Sequence, residues 1–98
     1  MKTLAIVSAT LNPILAQTCM ESWEARATHP VPLYLVDQGT EGDAVTGPAR
    51  VIRSTQILGT VPAFALGVQH ALEDGADIIA CFHDDLLIEE DGWDETVR

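Results

Sequence analysis

Positive charge is what this 98-residue sequence has least of: one lysine and four arginines stand against fifteen acids, a formal net charge of −10. A surface with so few bases repels phosphate backbones, which argues against direct nucleic-acid binding and favours a divalent cation or a basic partner. The deficit is local. Residues 1–72 carry five acids and four bases, whereas residues 73–98 carry ten acids and one base. Cysteine is scarce too: Cys19 and Cys81 sit in apolar surroundings without metal-ligand spacing, which reads as two buried, reduced thiols in a cytoplasmic protein and speaks against a disulfide scaffold. No run approaches the roughly 20 apolar residues of a membrane span, and neither an internal repeat nor a low-complexity tract is present. The opening "MKTLAIVSATLNPILAQ" imitates a secretory signal, but Asn12-Pro13 interrupts it, and a core strand followed by a helix is the expected outcome.

What is there alternates between strand and helix. Leu4 to Val7 is a short apolar run suited to a strand buried on both faces. Asn12 can cap a following helix, with Pro13 at its first position and Leu15, Cys19 and Trp23 as its buried stripe. "LYLV" forms a second strand ending at Asp37, and "QGTEGDAVTGP" has loop chemistry. Val51 and Ile52 make a brief third strand ending at Arg53. Thr60 and Pro62 open another helix with Val61, Ala65, Val68 and Leu72 as its apolar face, closed by Gly75. Ile78 to Phe82 is the fourth strand, and a capped helix is expected from near Asp91.

This order predicts a single α/β domain, a mostly parallel Rossmann-like sheet with helices on both faces. Ligands of such sheets lie at the carboxyl ends of the strands. There the sequence sets Ser8, Thr10 and Asn12 after the first strand, Asp37 after the second, Arg53 after the third, and His83, Asp84 and Asp85 after the fourth. Each has a plainer reading: Asp84-Asp85 as a solvated turn, Asp37 as an Asx-turn, Arg53 as a surface arginine, His83 as a merely hydrogen-bonded histidine. Their joint placement at one sheet edge favours a site.

Taken together, "AIVSATLN", "LYLVDQGTEGD" and "ALEDGADIIACFHDDL" resemble the nucleotide-sugar-binding half of a family 2-like glycosyltransferase with a GT-A fold, over nearly the whole chain. The resemblance implies that Thr10, Leu11 and Asn12 surround the base, and that Asp37 holds base or ribose. Arg53, from its place at the end of the third strand, is a further candidate for the nucleotide site, where it would pair with phosphate. The resemblance implies further that the Asp-x-Asp motif falls on His83, Asp84 and Asp85. Asp85 then coordinates Mn²⁺ or Mg²⁺ bridging the diphosphate, Asp84 lies near ribose or metal, and His83, where relatives carry their first aspartate, is a candidate metal ligand. Ala65 stands where relatives commonly place asparagine. Family members continue past the motif into an acceptor half that supplies the catalytic base. The chain is therefore expected to bind a donor without transferring sugar alone. The acceptor is not specified, and a non-catalytic nucleotide-binding module acting with another chain is the alternative. An open edge bordered by Ile78, Ile79 and Phe82 leads to the expectation of a homo-oligomer. A phospho-receiver, the remaining acidic Mg²⁺ fold, needs a lysine after a late strand, and Lys2 is the sole lysine.

Overall fold

The computed structural model describes residues 2–38, 50–54 and 57–97, with backbone alone at 13–15. The side chain of Leu15 and most of the loop expected after Asp37 lie outside the described residues. Four strands, β1 (Leu4–Thr10), β2 (Leu33–Gln38), β3 (Arg50–Ser54) and β4 (Ile78–Cys81), form one all-parallel sheet in the order β3-β2-β1-β4. Helix α1 (Pro13–Ala25) follows β1, α2 (Thr60–Glu73) follows β3, and a short α3 (Trp93–Val97) closes the described chain. The expected Rossmann-like α/β architecture is present. No helix among the described residues is long and apolar enough to cross a membrane.

β1 is central, and its composition follows from that place. Leu4, Ala5, Ile6 and Val7 are all at most 1% exposed, as a strand covered on both faces requires. Its side chains alternate: Leu4 and Ile6, with Leu33 and Leu35 of β2, join the core under α1, while Ala5 and Val7, with Tyr34, join the core under α2. The strand runs on to Thr10, three residues beyond the apolar run, because Ser8, Ala9 and Thr10 keep their register with Leu35, Val36 and Asp37. Ladder hydrogen bonds come from the backbone and do not stop where hydrophobicity does. For the same reason β2 includes Asp37 and Gln38, and β3 spans Arg50 to Ser54.

The two helices pack differently. Ala16, Cys19, Met20 and Trp23 are buried at the spacing of one helical face. The apolar face expected on α2 is overturned: Val61 and Leu72 are 77% and 57% exposed, Ala65 is exposed, and the buried stripe is Ala63, Gly67 and Ala71. A Cβ built on Gly67 would overlap Val7 Cγ1, so α2 lies too close to the sheet for large side chains to face it. Phe64 and Val68 pack from the flanks of that stripe. Gly75, at φ +96°, ends the helix: its N–H reaches Leu72 O and that of Ala76 reaches Ala71 O, the paired closure a left-handed glycine permits.

After β4 the chain folds back across α1. Phe82 meets Trp23 edge-on at 5.1 Å between ring centroids and Trp93 at 5.3 Å. Trp23 Nε1–H donates to Leu86 O, the Ile88 N–H to Ser22 Oγ, and Trp93 Nε1–H to Trp23 O. Asp94, fully buried, accepts the N–H groups of Thr28 and His29 at 2.7 and 3.2 Å. Of the two cysteines, Cys19 is buried as expected; Cys81, expected to be buried, is exposed on β4, beyond which no strand pairs among the described residues.

Candidate functional site

With α1 against one face and α2 against the other, the direction of winding reverses at β1, and the loops leaving β1 and β4 border a crevice at the carboxyl end of the sheet. That crevice is where open α/β sheets bind ligands. Here hydroxyl groups bridge it. Ser8 Oγ–H donates to Phe82 O at 2.7 Å, and Thr10 Oγ1–H donates to Asp84 Oδ2 at 2.7 Å while accepting the Asn12 N–H at 2.9 Å. One buried threonine thus ties the loop entering α1 to the loop leaving β4, 74 residues later.

A cavity of about 230 Å³ opens beside this tie, lined by Thr10, Leu11, Asn12, His83 and Asp84 together with Gln38, Thr60 and Phe64. Five of the nine residues singled out in the sequence meet there, and Ser8 is bonded to Phe82 O. His83 is set edge-on to Phe64, with ring centroids 6.0 Å apart. The remaining three stand elsewhere. Asp37 is buried at 2% exposure, level with Thr10 on one side and Arg53 on the other in the strand register. Arg53 borders a separate hollow beside α2, with Ser54, Pro62 and Gln69. Asp85 lies across the turn from Asp84: the Leu86 N–H bonds His83 O, making Asp84 and Asp85 the two central residues of a tight turn, and Asp85 lines a hollow against α1 with Thr18, Cys19 and Leu87. Asp84 borders both spaces.

Gln38, Thr60 and Phe64 were not singled out from the sequence. Gln38 had a signal: strand alternation directs it away from the face of Asp37. Its Oε1 accepts the N–H groups of Leu58 and Gly59 at 3.0 and 3.1 Å, fixing the entry to α2 on which Thr60 and Phe64 ride. Electrostatics mark the α1 side of the turn as well. Burial raises the Cys19 thiol pKa, and Asp84 and Asp85 raise it further, so the group stays a neutral thiol.

Among the described residues, no three His, Cys, Asp or Glu side chains are grouped to hold a metal ion. An Mn²⁺ or Mg²⁺ ion here would draw at most one or two carboxylates from the protein and take its remaining oxygens from water or a bound ligand. The wider cavity of about 590 Å³, at the opposite end of the sheet between Glu24 and Pro32, gathers none of these groups. Comparison with protein-family models, curated proteins and solved structures returns no match to this chain.

Proposed function

We propose that this domain binds the nucleoside diphosphate portion of a nucleotide sugar, as the donor-binding part of a GT-A-type glycosyltransferase. One observation carries the reading: the two loops that resemble that family, after β1 and after β4, converge on a single cavity at the switch point of the sheet and are joined by the Thr10–Asp84 hydrogen bond. Leu11 and Asn12 are exposed and line it, where the resemblance sets them around the base, while Phe64 and His83 offer ring surfaces to base or ribose. Asp84, held by Thr10, is the carboxylate at this cavity that would share a divalent ion with the diphosphate; Asp85, expected from the sequence in that role, lines the separate hollow against α1. When bound, that ion supplies neutralisation of the departing nucleoside diphosphate. The domain's own groups position the donor; Thr10 fixes the orientation of one carboxylate and Gln38 fixes the helix carrying Phe64.

Thermal unfolding of the purified chain with each nucleoside diphosphate, in Mn²⁺ and in chelator, tests this. A ligand at 100 times its Kd stabilises the folded state by about 2.7 kcal/mol through mass action. A rise in Tm is expected with Mn²⁺, smaller in chelator, and reduced by Asp84→Asn but not by Glu73→Gln at the other end of α2. No shift with any nucleoside diphosphate at millimolar concentration would overturn the proposal, and an equal shift in chelator would remove the metal from it.

A further inference from the structure

The acidic stretch after α2 divides into carboxylates that the fold uses and carboxylates that it does not. Asp74 accepts from Tyr34 and Arg50, Asp77 from the Thr3 N–H, Asp91 pairs with Arg26 at 3.0 Å, and Asp94 accepts two backbone N–H groups. Asp85, Glu89 and Glu90 have no hydrogen bond or ion pair among the described residues, and all three are exposed. In the chain they bracket Leu86 and Leu87, which are 40% and 57% exposed. Leu87 and Asp85 also line the hollow against α1, about 280 Å³, walled by Thr18 and Cys19. Exposed apolar groups cluster at this end of the molecule: of seven large hydrophobic side chains left exposed among the described residues, Leu11, Ile57, Val61, Leu86 and Leu87 all lie on segments at the carboxyl end of the sheet.

An apolar patch rimmed by uncompensated charge of one sign is the pattern of an interaction surface. We infer that the segment from Asp85 to Glu90, with the hollow beside Cys19, docks a basic amphipathic segment of another protein. Its apolar side chains would rest on Leu86 and Leu87. A lysine or arginine would lay its aliphatic stem in the hollow and bring its charge to Asp85, as long basic side chains do when they cover apolar surface. Charge selects the occupant. A second copy would bring its own ten acids and single base of residues 73–98 against the same sign, whereas a basic segment meets Asp85, Glu89 and Glu90 with complementary potential and is steered toward them. The surface stands apart from the nucleotide reading, since Leu86, Leu87, Glu89 and Glu90 line none of the switch-point cavity. Asp84 borders both spaces, so an occupied hollow would act on the carboxylate that faces the nucleotide.

The test is fluorescence anisotropy of a labelled helical peptide of leucine, alanine and arginine, with leucines at i, i+3, i+4 and i+7, titrated with the full chain in chelator. Saturable binding is expected, weakening as salt rises and becoming about tenfold weaker or more when serine replaces the leucines. Leu87→Ser and Asp85→Asn should each weaken it severalfold while leaving the unfolding midpoint unchanged, since both side chains are exposed, and Glu73→Gln should leave binding intact. Equal binding of the leucine-free peptide, or equal loss in Glu73→Gln, would reduce the effect to net charge and overturn the inference, as would the absence of binding. Self-association in sedimentation that Leu87→Ser abolishes would assign the surface to a second copy instead. Peptide binding without any nucleotide effect on Tm would leave this inference standing and sink only the nucleotide proposal.

Discussion

The two faces of the sheet hold their helices by opposite means. On one, α2 approaches through Ala63, Gly67 and Ala71 until there is no room for another carbon; on the other, α1 stands off and the gap is filled by Met20, Trp23, Phe82 and Trp93. Close approach exploits backbone proximity and tolerates no addition; the filled gap depends on a few large side chains and tolerates no removal. The difference reaches the candidate site. The close-packed face presents Phe64 from a helix fixed against β1 and β2, whereas the turn carrying Asp84 and Asp85 is held on the other face by Trp23 Nε1–H to Leu86 O and by Ser22 Oγ receiving Ile88 N–H.

Breaking the filled face should have the largest effect. Trp23 is 1% exposed, touches Phe82, and bonds the backbone beyond the turn, so Trp23→Ala leaves a cavity and an unsatisfied carbonyl together. A loss of about 3–5 kcal/mol is expected, which for so short a domain removes most of its stability. Urea denaturation followed by circular dichroism measures it; a loss below about 1 kcal/mol would mean that residues 82–94 contribute little to the core. On the close-packed face the opposite change is the damaging one. Gly67→Ala adds one carbon against Val7 and Val36, both fully buried, and should cost about 1–3 kcal/mol despite alanine's better helix propensity. Val61→Ser, on the exposed side of the same helix, should cost under about 0.5 kcal/mol. If Val61→Ser proved the worse of the two, the face assigned to α2 would be wrong.

The same contrast explains what the sequence disclosed. Large apolar residues announce their burial, so β1, the Cys19–Trp23 stripe of α1 and the alternation of strand and helix were legible, whereas that alternation does not decide the strand order β3-β2-β1-β4. A helix that packs through glycine and alanine leaves no such mark: Val61 and Leu72 are the conspicuous residues of α2, and both face away from the sheet. Site residues divide along the same line. Thr10, Leu11, Asn12, His83 and Asp84 follow the two strands that flank the switch point, and connectivity alone brings them together. Asp85 departs because it shares a tight turn with Asp84, and adjacent turn residues face different spaces. Arg53 departs because β3 is an edge strand two places from β1. Gln38 acts through loop backbone groups of Leu58 and Gly59, a contact that no periodicity encodes.

The smallest expected effect concerns how each face is tied by polar groups. The Trp23, Trp93 and Ser22 ties of the α1 face involve no titrating group, and the carboxylate on that side, Asp94, accepts from backbone N–H groups of Thr28 and His29; on the α2 face Asp74 joins β2, β3 and the end of α2 by accepting from Tyr34 Oη–H at 2.8 Å and Arg50 at 2.6 Å. The Tyr34 hydrogen bond, and after it Arg50, holds the Asp74 pKa below the ordinary aspartate value. A depressed folded-state pKa means that the unfolded chain takes up the proton first on acidification, so the contribution is fully present above about pH 4 and is lost as the pH falls through the folded value. Tyr34 is the mirror case. Burial, then the bond to Asp74, raises its pKa, so folding favours the neutral phenol; that contribution is present below about pH 10 and is lost as the pH rises through the folded value. Asp74 and its partner Arg50 are partly open to solvent, so the amplitude is modest and screened by salt. Unfolding midpoints of the parent chain and Asp74→Asn, compared across pH, should differ by a constant amount near neutrality and converge below about pH 4. Tyr34→Phe should flatten the alkaline limb as well. A gap between parent and Asp74→Asn that persists undiminished at about pH 3 would show that the carboxylate's charge plays no part in holding β3 and α2 to the sheet.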